Sequence, residues 1–326
     1  MSRKTLFERF LTLLGDIKVF GWRRPLWVLY QPDGYRVRGE EVREVMAAVR
    51  PGDLLVRGFF DYLDGRFIPG YFSHVGFYLG EVTEPDRERA RVVARGRCIE
   101  PAFRTGTQMV VHAVAEGVLL EDVIDFCRCD YLAVLRFPAM LRAAPGAPPA
   151  LVKESSYSGA ELGIRDRLAA GEMVSFGEAL PFIRAAALGT VGSDYDFSFD
   201  CRRVDRFSCA GLAYFVTKSV AAFHRVEPRV QRVAWVFRRS LIEPDAFVRS
   251  PLEVVWRSRA VDERRLAALR DGTAAAGVGA EPVTEADALA RALRHASSRG
   301  SAEAGLARVS VREGAAVPGR ASETTS

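Results

Sequence analysis

Apolar and polar positions along this chain follow two periods, and each period marks a set of elements. The three-to-four-residue period comes first. Phe7, Phe10, Leu11, Leu14 and Ile17 form one apolar helical face, with Arg3, Lys4, Arg9 and Lys18 around it and Trp22, Trp27 and Tyr30 following. Glu40 to Val49 reads as a short helix that stops at Arg50-Pro51-Gly52. The strand-like pattern takes over at Asp53 to Arg57, at Ser73 to Gly80, at Gln108 to Val114 and at Tyr131 to Phe137, all rich in residues that suit a pleated sheet. Between them, Phe59 to Gly70 is an aromatic and glycine loop, and Glu84 to Arg97 is a charged, solvated excursion. Leu119 to Phe126 reads as a short helix. Ala143 to Ala150 is a break. Helical patterns return at Glu161 to Ala170 and Phe176 to Leu188, and Gly192 to Phe197 is a turn.

The stretch Phe207 to Val216 reads as a helix that opens with a cysteine. Ser208 suits the N-cap, and Leu212, Phe215 and Val216 fall on one buried face. Cys209 in the first turn lies in the positive end of the helix dipole, which favours the thiolate. Neighbouring amides point where an oxyanion would form. A small buried hydrophobe at a helix start is the plainer reading of the same residue. Ile242 to Phe247 starts a last turn of structure and Leu252 to Trp256 closes it. Beyond Trp256 the chain has no aromatic residue and is rich in Ala, Gly, Arg, Ser and Glu, the composition of a tail that buries little. Three regions follow: a basic amphipathic segment over 1–39, a folded domain over 40–258, and a largely disordered tail over 259–326.

Composition narrows the class. The 326 residues are 48% hydrophobic with 20 phenylalanines, ample for a sizeable core. A net charge of +5, spread along the chain, fits an anionic surface better than a nucleic acid, so no nucleic-acid partner is expected. Five cysteines fit free thiols in a reducing compartment. Glu8, Arg9 and Asp16 interrupt any signal-like apolar run, and no uncharged run reaches spanning length, so the expected location is cytoplasmic. The N-terminal face leaves two placements open, on an anionic membrane or packed on its own domain. Cys127-Arg128-Cys129 lacks a second pair at zinc spacing, and no glycine-rich phosphate loop is present, so no metal and no cofactor are expected.

Four histidines are available: His74, His112, His224 and His295. His74 and His112 fall inside strands, where an imidazole is costly unless its nitrogens are paired. They are either satisfied core histidines or the base and orienting group that a cysteine nucleophile needs.

Asp53-Leu54-Leu55, then Ser73-His74-Val75-Gly76, Val110-Val111-His112-Ala113, Tyr195-Asp196-Phe197 and Phe207-Ser208-Cys209 together resemble the YiiX-like branch of the NlpC-type papain-fold hydrolases. That branch is circularly permuted, with the histidine strand before the cysteine helix, as here. The resemblance spans Arg50 to Trp256 and includes Glu243-Pro244-Asp245. It implies an α+β, permuted papain-like fold, with a small antiparallel sheet packed on the helix that carries the cysteine. It also implies Cys209 as nucleophile and His74 as general base. His112 takes the third position, where relatives often carry glutamate; Glu116 competes for that role. Ala210-Gly211 departs from the Ser-Glu that tends to follow the cysteine in the family. Ser208, Tyr195 and Asp196 are candidate substrate contacts, although Asp196 equally suits a turn that bonds its own backbone. The implied activity is a thiol hydrolase or acyltransferase on an amide or ester. Kinship with lipid acyltransferases favours a lipid or acylated substrate. The alternative is a catalytically silent papain-like domain that binds a lipid or protein partner.

Overall fold

A six-stranded antiparallel sheet organises the chain, its strands side by side in the order Glu253–Arg257, Tyr131–Arg136, Leu54–Gly58, His74–Val82, Gly106–Val114 and Gly117–Asp122. The computed structural model describes residues 35–59, 70–94, 96–146, 151–233 and 237–272, and between 230 and 240 the backbone alone. The first half runs α1 (Glu40–Ala48), β1 (Leu54–Gly58), β2 (His74–Val82), α2 (Glu84–Ala94), β3 (Gly106–Val114), β4 (Gly117–Asp122), α3 (Val123–Phe126) and β5 (Tyr131–Arg136). It continues through β6 (Met140–Arg142), α4 (Gly159–Ala169), β7 (Met173–Ser175), α5 (Phe176–Thr190), β8 (Asp194–Tyr195) and β9 (Arg206–Phe207). The cysteine helix is α6 (Cys209–Val216), followed by α7 (Ala221–His224), β10 (Arg229–Val233), β11 (Phe237–Leu241), α8 (Pro244–Arg249), β12 (Glu253–Arg257) and α9 (Glu263–Arg270). The class is mixed α+β.

Strand residues alternate between two buried faces. Val75, Phe77, Leu79, Val111 and Ala113 join the core that holds α6. Leu55, Tyr78, Val110, Leu132 and Val134 face Val45 of α1 and Phe126 of α3. β1 sits in the middle of the sheet, and Leu54, Leu55 and Val56 are fully buried. Asp53 closes the turn ahead of it. Its carboxylate takes the Arg50 amide at 2.7 Å and Arg136 Nε and Nη2 at 2.9 and 2.7 Å.

Three stretches differ from the sequence reading. Leu119–Asp122 is strand rather than helix. Gly117, at φ 120°, lets the chain turn back at once into β4, and a Cβ there would lie 2.5 Å from the Ser193 carbonyl. Asp122 then caps the short helix α3 by accepting from the Ile124 amide at 2.8 Å. Glu84–Ala94 is a helix, not a solvated excursion. Its buried Asp86 takes the Thr83 amide and hydroxyl at 3.0 Å and Arg184 of α5 at 3.0 Å, while Ala90 and Ala94 pack inward. The region from 259 begins with structure. Asp262 caps α9 by accepting from the Arg264 and Arg265 amides, and Leu266 and Leu269 enter the core. The rest of that expected tail, residues 273–326, lies outside the described residues. So do the amphipathic face of the N-terminal segment and most of the Phe59 to Gly70 loop. Among the described residues no helix is long and apolar enough to cross a membrane.

Candidate active site

Ser208 adopts extended backbone angles and caps α6, its hydroxyl accepting from the Gly211 amide at 3.2 Å. A Cβ at Gly211 would lie 2.9 Å from that hydroxyl oxygen, which favours glycine over a longer residue beside the cap. The cap directs the first turn, and Cys209 with it, onto β2 and β3. The backbone amides of Val75, the residue after His74, and of Ala210 act on the Cys209 sulfur and lower its thiol. Burial nevertheless dominates. It pushes the thiol up to about 11, against the lowering effect of the Val75 and Ala210 amides and the charge of Arg57. The helix start alone therefore does not supply a resting thiolate, contrary to the sequence expectation.

Register brings the histidines together. His112 of β3 pairs with Gly76 of β2, so His74 is its diagonal neighbour on the same face. His74 Nε2 and His112 Nδ1 are 2.9 Å apart, with the rings edge-on at 86°. His112 Nε2 lies 3.2 Å from Glu121 Oε2 of β4, off the axis of an ideal hydrogen bond, and neither atom has another partner. This contact favours one tautomer of each ring. Glu121 only accepts, so the His112 proton sits on Nε2 and its Nδ1 is an acceptor. His74 must then donate from Nε2, which leaves its Nδ1 with the lone pair. Burial first, and the Arg57 charge with it, holds His74 well below the ordinary imidazole range. Burial also lowers His112, opposed by Glu121. Burial raises Glu121, but His112, Arg57 and Arg104 together hold its carboxyl below the usual range. The resting site is a neutral thiol, two neutral imidazoles and a carboxylate.

Glu121 escapes the sequence reading because Leu119 to Phe126 looks like a helix. The signal that finds it is the tight β3–β4 turn, which sets Glu121 opposite Val110, two residues from His112. Glu116, the competing third residue, stands exposed in that turn.

Asp196 is a scaffold of its own loop. One carboxylate oxygen accepts from the Ser198 amide at 3.0 Å and from its hydroxyl, the other from the Asp200 amide at 2.7 Å. That occupies the group expected to touch substrate, and the turn reading holds. Tyr195 is half-buried, its ring edge-on to Phe197 at 4.8 Å. His224 is buried and structural. It accepts from the Val226 amide at 3.1 Å and meets Thr217 Oγ1 at 3.3 Å, and burial lowers it to about 3. Cys127 and Cys129 are buried free thiols, and burial raises Cys127 to about 12. Among the described residues no group of three His, Cys, Asp or Glu side chains is placed to hold a metal ion. A cavity of about 1000 Å³ lies beyond the other end of α6, lined by Arg142, Arg165, Leu168, Lys218 and Ala221, and contains none of the cysteine–histidine cluster.

No protein-family model matches this chain, and no curated protein matches it. Among solved structures it is similar to the crystal structure of the metalloprotein yiiX from Escherichia coli O157:H7. The identity is 15%, the TM-score 0.38, and the match covers 65% of this chain and 98% of that chain.

Proposed function

We propose that this chain is a thiol hydrolase or acyltransferase of the permuted papain-like type, cleaving an amide or ester bond. The observation that carries the reading is the His74 Nε2–His112 Nδ1 contact at 2.9 Å on strands against which the Cys209 helix packs. The order of a histidine strand followed by a cysteine helix packed on it supports the permuted arrangement.

In this reading Cys209 Sγ attacks the carbonyl carbon while its proton passes to His74 Nδ1, the nitrogen that the relay leaves basic. His112 holds the His74 ring, and Glu121 holds His112 in the required tautomer. The tetrahedral intermediate collapses and expels the amine or alcohol, which takes the proton from His74. Water, or another acceptor, then attacks the thioester and frees the thiol. Because the thiol is neutral at rest, proton removal accompanies attack rather than preceding it. Cys209 is only 3% exposed, and the His74 ring at rest bonds His112 and faces Phe126 rather than the sulfur, so turnover requires the site to open and the two side chains to come together. An acylated or lipid substrate is the class favoured by the apolar, basic N-terminal sequence.

Turnover of activated acyl esters tests the reading. Cys209→Ala and His74→Ala should each reduce it by roughly 10³-fold or more with the fold intact by circular dichroism. Unchanged turnover in both variants refutes it. A second reading, a silent domain that binds a lipid or protein partner, draws on the burial of the Cys209 thiol. Retention of acylated ligand without any turnover by the wild-type chain would favour it.

A further inference from the structure

Arg57 is the charge nearest the histidine relay that the mechanism above leaves unused. It lies opposite His74 in the β1–β2 register, so both side chains leave the same face of the sheet. A guanidinium there looks expensive, and the structure holds it firmly. Arg57 Nη1 donates to the Phe126 carbonyl at 2.7 Å, and the guanidinium carbon sits 4.1 Å from the Phe126 ring centroid. The same ring meets both imidazoles, at 5.8 Å from His74 and 5.3 Å from His112. Arg57 Nε is buried without a partner. Leaving such a donor buried and unpaired works against stability, so a role beyond stability is called for.

We propose that Arg57 is a positioning residue of this site, a fixed cation that keeps the His74–His112 pair neutral at rest and drives the proton off His74 once it has been taken up. The inference rests on the hydrolase reading for its purpose, but not for its physics.

The charged groups that act on the two imidazoles are Arg57 from β1 and Glu121 from β4, with Arg104 acting on Glu121 from the segment before β3, while Arg57 also acts on Cys209 of α6. Beyond Phe126 lie Cys127 and Cys129, and Asp122 acts on Cys127. The positive charge of Arg57 bears on every one of the site's titrating groups in the same sense. It disfavours an imidazolium, favours the Glu121 carboxylate and favours a thiolate. During attack the proton moves from sulfur to His74, and negative charge appears on the substrate oxygen. An imidazolium beside Arg57 is a strong acid, so it returns the proton readily to the leaving amine or alcohol. Arginine suits this role because it stays protonated throughout and its plane stacks on Phe126.

Nitrogen-15 NMR titration of the histidine rings in the full chain tests this, with wild type, Arg57→Gln and Arg57→Lys compared. In wild type, His74 and His112 should remain neutral below the ordinary imidazole range. In Arg57→Gln their midpoints should rise by roughly one pH unit, and Arg57→Lys should stay near wild type. Arg57→Gln rings that titrate as in wild type overturn the inference. Should Arg57→Gln fail to fold, Arg57→Lys decides: midpoints held low support the role of the charge, and midpoints at the ordinary value refute it. If the ring titrations shift as expected while Cys209 never accepts an acyl group, the charge assignment stands and the hydrolase reading fails.

Discussion

The two ends of the cysteine helix bury polar groups in opposite ways. Just past its C-terminal end, Lys218 is 1% exposed, and its Nζ is bonded to the buried Glu161 carboxylate. Phe215 lies 4.6 Å and Tyr157 5.3 Å from that ammonium. Glu161 also accepts from the Ser158 amide at 2.7 Å, completing the capping box of α4. Here each charge has an opposite partner, and nearby His224 has both ring nitrogens engaged. At the N-terminal end the bonding is incomplete. His112 and Glu121 meet off-axis, Arg57 Nε has no partner, and burial holds the Cys209 thiol protonated. Equal burial thus serves two ends. Matched charges make structure, and unmatched ones leave groups ready to exchange a proton.

The sharpest way to break this contrast is at the matched end. Lys218→Met strands the Glu161 carboxylate in the core and should cost about 3–5 kcal/mol of stability in denaturant titration, with the remaining folded protein keeping its turnover. A small stability loss, or a specific loss of turnover, would place Lys218 with the chemistry instead. The double variant Lys218→Met/Glu161→Gln should recover part of that loss, because it removes both charges together.

Acid sharpens the contrast next. His224 is lowered to about 3 in the fold and titrates near 6.5 when unfolded. Its stabilisation is therefore complete above pH 6.5 and is lost as pH falls from there towards 3. The loss is up to roughly 4–5 kcal/mol, because the unfolded chain binds the proton first. His74 and His112 are lowered too and act in the same direction. Stability measured from pH 7 to pH 4 should fall steeply, and less steeply in His224→Gln. A flat profile would show that these rings take up protons in the fold as readily as in the unfolded chain.

The smallest effects belong to the relay. His112→Ala should lower turnover about 10²-fold, since His74 then loses the group that orients its base nitrogen. Glu121→Gln should lower it about tenfold, because a neutral amide fixes the His112 tautomer less firmly than a carboxylate. Equal losses in the two variants would mean that His112 acts only through Glu121.

Much of this arrangement is legible along the chain, for physical reasons that also mark where legibility ends. The β-rich runs at Leu54, His74, Met109 and Tyr131 and the Ser208 cap announce themselves by residue type, and they carry Cys209, His74 and His112. Glu121 does not, because its strand depends on the left-handed backbone at Gly117 rather than on an apolar alternation. The helix α2 hides because its buried face is Asp86, Ala90 and Ala94, which form no apolar stripe. In the same way α9 inserts only Leu266 and Leu269. Arg57 reads as an ordinary polar strand position, and only the register with His74 and the approach of Phe126 give it meaning. By sequence Asp196 suits either of two uses, and the three groups it accepts from make it a turn residue.

The central claim concerns one sulfur atom. Intact-mass analysis of the full chain after brief exposure to an activated medium-chain acyl ester, followed by peptide mapping, tests it most directly. The account predicts a single transient acyl group on Cys209, absent in Cys209→Ala and slow to form in His74→Ala. Acylation of the exposed Cys98 in preference to Cys209, or no adduct at all in a chain shown to be folded, would contradict it.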